Sequence, residues 1–197
     1  MRVIYELLVT ALYTVFVQNL VLSSGLGMSE AIRVSTKPGT FGKFAVMISG
    51  FSVVTSILCS LLGSLPGMEN MTYALTAAIY GGVLASVYII IALISKLIFR
   101  ASKKFLGTLG IAALNTLVFA IPYINHSAAY SFADSIGSGL GAGFAFVLAA
   151  ALISSGSRIL AENKNIPAVF KGTPAMFFYV AMLSLAFTGF SDTNLFV

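Results

Sequence analysis

Between consecutive charged or histidine side chains, this sequence leaves six long stretches without a formal charge: Leu7 to Ser29, Phe44 to Met68, Asn70 to Ser95, Phe105 to Asn125, Ser135 to Ser157 and Gly172 to Ser191. Each reaches the roughly 20 residues that a helix needs to cross a ~30 Å hydrocarbon core. Soluble domains average about one quarter charged residues, whereas this chain has 9% charged and 58% hydrophobic residues. That balance excludes a disordered segment, a basic nucleic-acid-binding domain and a secreted disulfide scaffold. A single cysteine, Cys59, permits neither an internal disulfide nor a metal site built from several thiolates. The first stretch is too long for a cleaved signal peptide, Glu6 interrupts its basic start, and no clear mature domain follows it.

The net charge of +5 is distributed with a period of two stretches. Arg33, Lys37 and Lys43 follow the first; Lys96, Arg100, Lys103 and Lys104 follow the third; Arg158, Lys164 and Lys171 follow the fifth. The alternate connections carry Glu69 in one case and His126 with Asp134 in the other, and the tail carries Asp192. By the positive-inside rule both termini lie outside the cytoplasm of a bacterial-type inner or plasma membrane. As topology signals the basic residues need no ligand.

Gly50-Phe51-Ser52-Val53-Val54 through Gly63-Ser64 aligns without gaps to Gly143-Phe144-Ala145-Phe146-Val147 through Gly156-Ser157, a faint likeness between the second and fifth stretches. Three spans starting outside, followed by three starting inside, make an inverted repeat, a plan that places solute sites near the midplane. The expectation is an all-α membrane protein in one domain, residues 1–197. Its six transmembrane helices form a 3+3 inverted repeat, with halves of about 1–100 and 101–197 and with helices one and four broken.

The first stretch holds Gln18 and Asn19, then Ser23-Ser24-Gly25-Leu26-Gly27, where small residues weaken the helix before it leaves the membrane. The fourth holds Gly107, Gly110, Asn115, Thr116 and Pro122. Paired interrupted helices in corresponding positions point to a midplane site, so Asn19, Gly25, Gly27 and Asn115 are the broken-helix candidates. The competing account is that the amides bond between helices and the glycines permit close packing. Gly137-Ser138-Gly139-Leu140-Gly141-Ala142-Gly143 has overlapping small-xxx-small spacings; with no preceding soluble strand and no P-loop lysine it reads as packing. His126 reads as a solvated loop residue, and all six acids fall at stretch edges or in loops, leaving no intramembrane carboxylate relay.

From Ile166 the chain reads IPAVFKGTPAMFFYVAMLSLAFTGFS; Phe16 to Ser35 reads FVQNLVLSSGLGMSEAIRVS, and Leu114 to Asn125 reads LNTLVFAIPYIN. These segments resemble the C-terminal signature and the first and fourth helices of the six-helix membrane subunits of Rnf and Na⁺-pumping Nqr complexes, of the Rnf A and Nqr E type. The resemblance implies a membrane subunit, not itself catalytic, of a complex that couples electron transfer to ion translocation. It further implies an inverted sister membrane subunit, flavin-carrying subunits and a cytoplasmic dehydrogenase module as partners, in the lipid bilayer and without nucleic acid. A 2Fe-2S cluster at the interface with the sister is also implied, each subunit giving two cysteines from its broken helices. Where the family reads Gly-Leu-Cys this chain has Gly27-Met28-Ser29, and where it reads Asn-Cys this chain has Asn115-Thr116. Ser29 and Thr116 therefore occupy the cluster-cysteine positions with hydroxyls, which are poor ligands for iron. The expectation is that this chain alone binds no cofactor and holds no metal. The rival reading is a transporter or channel component that keeps the fold without redox work.

Overall fold

The structure, a computed structural model, describes residues 2–68 and 71–191. Its helices are α1 (Arg2–Phe16), α2 (Leu20–Ser24), α3 (Met28–Ser35), α4 (Phe41–Gly63), α5 (Tyr73–Leu97), α6 (Lys103–Ala113), α7 (Thr116–Ser127), α8 (Phe132–Glu162) and α9 (Thr173–Ser191), with short 3₁₀ turns before α4 and α9. No strand occurs among the described residues. Five helical segments are long and apolar enough to cross a membrane: Arg2–Ser24, Pro38–Gly63, Tyr73–Leu97, Lys103–Ser127 and Phe132–Glu162. A sixth, Thr173–Gly189, is apolar and shorter. Glu69 and Asn70, and Asp192 in the tail, lie outside the described residues.

Leu22, Ile48, Phe51, Leu117, Ile121, Phe146 and Ile153 form a buried apolar cluster, but on α1 the packing inverts that of a soluble domain. On α1 the buried residues are Thr10 and Thr14, while Val3, Ile4, Leu8, Leu12 and Phe16 are exposed. With lipid as apolar as leucine, burying large apolar side chains gives no advantage, and helices approach through small and weakly polar residues instead. Ser52, Thr55, Ser56, Asn125, Ser135 and Ser138 are buried for the same reason.

At the centre stands α8, which packs mainly on α4 and α1. Its glycines fall at every second position from Gly137 to Gly143, and two residues of helix turn the chain by about 200°. Alternate glycines therefore face opposite sides. Gly137 and Gly141 lie against the α1 backbone at Leu7 and Ala11, and Gly139 and Gly143 lie against α4 at Val53 and Ala45. One short run thus lets α8 be held between two neighbours at once. Hydroxyl bonds add to both contacts: Thr10 Oγ1 donates to Asp134 Oδ1 at 2.5 Å, and Ser49 Oγ donates to the Leu140 carbonyl at 3.2 Å. Gly156 leaves room for the Tyr179 ring of α9, whose hydroxyl donates to the Leu152 carbonyl.

Several sequence boundaries shift. The fifth helix extends three residues ahead of Ser135, because Ser131 and Asp134 form a reciprocal capping box at its start. Glu6 lies within α1 and pairs with Arg2 at 2.9 Å. His126 belongs to the last turn of α7 and not to a loop; it is exposed, as expected, while its ring meets the Tyr80 ring edge-on at 5.6 Å between centroids. Pro122 sits inside α7 without ending it.

Candidate functional site

The helical path is interrupted at three places that matter here. After Phe16, the Val17 and Gln18 N–H groups both donate to the Tyr13 carbonyl, and the chain turns into α2 at Asn19. Asn19 is fully buried. Its Oδ1 accepts the Leu22 N–H, while its Nδ2 donates to the Val15 carbonyl at 3.0 Å and to the Ala145 carbonyl of α8 at 3.4 Å. One amide thus caps the new helix, satisfies a carbonyl at the end of the old one and anchors the bend to the core.

The second interruption follows Ser24. Gly25 takes a left-handed φ of 71° and Gly27 one of 77°. The Leu26 N–H returns to the Leu20 carbonyl at 3.0 Å, closing the end of α2. The sequence points to one break, in the small-residue run; the turn at Gln18-Asn19 is additional, and its signal is a buried asparagine able to cap.

The third interruption separates α6 from α7 at Leu114-Asn115. Asn115 caps α7, with Oδ1 accepting the Leu117 N–H at 2.9 Å. Its Nδ2 is buried without a hydrogen-bond partner. This bend meets the second one: Thr116 Oγ1 accepts the Gly27 N–H at 2.8 Å. A shallow cavity of about 220 Å³ lies at the meeting point, lined by Gly25, Gly27, Ser29, Asn115 and Thr116 among others. Five of the six sequence-derived candidates therefore come together; Asn19 stands apart, buried against α8. Ser29 and Thr116 are both exposed on the surface of this chain, so the cavity is open.

The donor chemistry does not fit the implied cluster. Iron–sulfur iron takes thiolates, but the cavity offers only the hydroxyls of Ser29 and Thr116 and the carboxylate of Glu30 beside the Asn115 amide; the Thr116 hydroxyl already accepts Gly27 N–H and Glu30 pairs with Arg33. Cys59 is 1% exposed and packs with Met68 and Tyr80, away from this cavity. No group of three or more histidine, cysteine or acidic side chains with metal-binding spacing occurs among the described residues.

Sequence reading missed a second polar cavity of about 250 Å³ between the C-terminal ends of α4 and α7 and the start of α8. Ser56, Ser60 and Ser64, spaced four apart on one helical face, line it together with Asn125, His126 and Tyr80. That i, i+4, i+8 spacing was the available signal. The Tyr80 hydroxyl is buried without a partner, and Asn125 bridges Ser56 and Ser138.

Comparison with known proteins gives a match over nearly the whole chain to the family described as Rnf-Nqr subunit, membrane protein, at residues 7–193. The E-type subunit of the Na(+)-translocating NADH-quinone reductase of Histophilus somni (strain 2336) is 30% identical over 190 residues, covering 92% of this chain and 95% of that protein. The A-type subunit of the Na(+)-translocating ferredoxin:NAD(+) oxidoreductase complex of Acetobacterium woodii is 27% identical over 191 residues, covering 92% and 94%. Its counterpart in the ion-translocating oxidoreductase complex of Colwellia psychrerythraea is 28% identical over 187 residues, covering 90% and 92%.

Proposed function

The chain belongs to the Rnf-Nqr family of membrane subunits, and from that premise we propose that it is a non-catalytic membrane subunit of an ion-translocating electron-transfer complex. It acts there as a scaffold half and contributes no iron ligand of its own. Match to two such subunit types over 92% of the chain supports the first part. The observation that carries the second is the Thr116 hydroxyl, which joins the two bends by accepting Gly27 N–H where the family places a cysteine.

The reading includes an inverted 3+3 repeat in one domain, with halves of about 1–100 and 101–197. Its support is a pattern of contacts that survives exchange of the halves. If α1 corresponds to α6, α2 to α7, α4 to α8 and α5 to α9, then α1–α8 mirrors α4–α6, α2–α8 mirrors α4–α7, α4–α5 mirrors α8–α9, and α5–α7 mirrors α2–α9; all of these pairs are in contact. The α4–α8 contact lies on the pseudo-axis. Broken helices one and four then meet at Gly27 and Thr116, as the plan requires. The open side of that cavity is where an inverted sister subunit docks. Both termini lie outside the cytoplasm, because ten basic residues fall in alternate connections.

A second reading is favoured by the same hydroxyls: the fold is retained in a transporter or channel component without redox work. Affinity purification of the tagged chain from its native membrane separates the two. Co-purification of flavin-carrying and dehydrogenase subunits is expected, and isolation of the chain without any redox protein overturns the proposal in favour of the second reading. In the same preparation, Ser29→Cys with Thr116→Cys should raise bound iron, whereas wild-type iron ligated by this chain would refute the scaffold role.

A further inference from the structure

On the side of the bundle where α4 and α6 begin, a groove of about 840 Å³ opens between the two helices. Lys43 sits in the first turn of α4 and Lys104 in the first turn of α6. Val46 and Met47 follow Lys43, and Phe105 and Leu109 follow Lys104, all lining the same groove. At about 1.5 Å of rise per residue, these apolar side chains reach from the level of the ammonium groups to one turn or more deeper into the membrane. Val46 is 74% exposed and Phe105 42%.

The electrostatics of the mouth have one sign. Two helix N-termini converge there, each carrying the positive end of a helix dipole. Neither lysine side chain makes an ion pair or hydrogen bond among the described residues, unlike Lys171, which donates to the Ala161 carbonyl. No carboxylate lines the groove. A peptide helix seated here would need acidic groups at one end and a long apolar face below them. An amphiphile with an anionic head and flexible tails meets both demands without further specificity, and basic pockets between membrane helices on the cytoplasmic side bind such headgroups.

We infer that this groove is a binding site for an anionic phospholipid, its phosphate held between Lys43 and Lys104 and an acyl chain lying along Val46, Met47, Phe105 and Leu109. The inference rests on the groove and on the proposed cytoplasmic side of these helix ends, and stands whether or not the chain serves a redox complex. The test is native mass spectrometry of the full chain, purified with the subunits that accompany it, delipidated and then titrated with phosphatidylglycerol or phosphatidylcholine. Wild type should retain phosphatidylglycerol in preference to phosphatidylcholine. Lys43→Gln with Lys104→Gln should weaken that retention about 30-fold, the effect of removing two cations at a leaflet surface. Lys43→Arg with Lys104→Arg should preserve it, which separates lost charge from lost folding. Val46→Trp should block the groove and reduce retention with both lysines intact. Equal retention of the two lipids, no change in the double glutamine variant, or a helix of another subunit lying in the groove of the assembled complex overturns the inference.

Discussion

The Thr116 hydroxyl accepts the backbone N–H of Gly27 across 89 positions of sequence, at 2.8 Å. Gly27 is itself buried, so this bond satisfies an N–H that water cannot reach. Thr116→Val keeps the side-chain shape and removes the acceptor. Leaving a buried donor unmet costs about 1–3 kcal/mol, and thermal unfolding of the purified chain in detergent should show that loss, with Thr116→Ser close to wild type. Equal stability of the valine variant would mean that the bend is held elsewhere.

Gly25 and Gly27 both have left-handed backbones but differ in surroundings. A Cβ on Gly25 meets nothing within 4 Å, whereas one on Gly27 would lie 2.6 Å from Asn115 Oδ1. Gly25→Ala should therefore cost only the left-handed penalty of about 1–2 kcal/mol. Gly27→Ala adds a clash with a side chain that is needed to cap α7, and should be the more damaging of the two. Fluorescence-detected size exclusion after graded heating ranks them; the reverse order would contradict the geometry at this junction.

The glycines of α8 make a sharper contrast with one on α5. A Cβ on Gly141 would meet the Ala11 carbonyl oxygen at 2.7 Å, and a Cβ on Gly82 has open space. Gly141→Ala should destabilise by about 1–3 kcal/mol through overpacking, while Gly82→Ala should gain up to about 1 kcal/mol of helix propensity. Because these contacts lie within the chain, the damage should appear in the protein purified alone and in any complex. Similar melting temperatures for the two variants would place the α8 run away from its neighbours.

Sidedness has its own measurement. In a Cys59→Ala background, single cysteines at Ser102 or Asn163 should label only from the cytoplasmic face and one at Ser127 only from the outside. Ser102, Asn163 and Ser127 all lie at helix ends, where an impermeant maleimide has access. The opposite labelling would invert the orientation.

The spans were legible because lipid imposes length and apolarity on any crossing helix, a constraint that leaves a mark in single residues such as Lys43 and Lys171 at the edges. The junction was half legible. Gly25, Gly27 and Asn115 announce themselves by weakening helices, but that the Thr116 hydroxyl faces the Gly27 N–H depends on how two distant bends are oriented, which no local pattern records. Asn19 is among the broken-helix candidates, but that it makes a separate turn, capping α2 and bonding the Ala145 carbonyl of α8 away from the Gly27–Thr116 junction, was not legible, because an asparagine in an apolar run equally suits an interhelical bond. The alternating glycines were visible as small-residue spacings; that they serve two opposite neighbours follows only once α8 is known to lie between α1 and α4.

The hydroxyl-lined face of α1 sets an order of events during synthesis. Its partner surface is α8, and the bond from Thr10 to Asp134 spans 124 positions. While the nascent chain is still short, α1 therefore waits in the bilayer as a lone helix, comfortable in lipid because its large apolar side chains already face outward. Only when the fifth span has left the translocon can the small-residue surfaces meet. Insertion and packing are thus separate stages for this chain, and α1 finds its neighbour only once α8, more than 100 positions later, is in place.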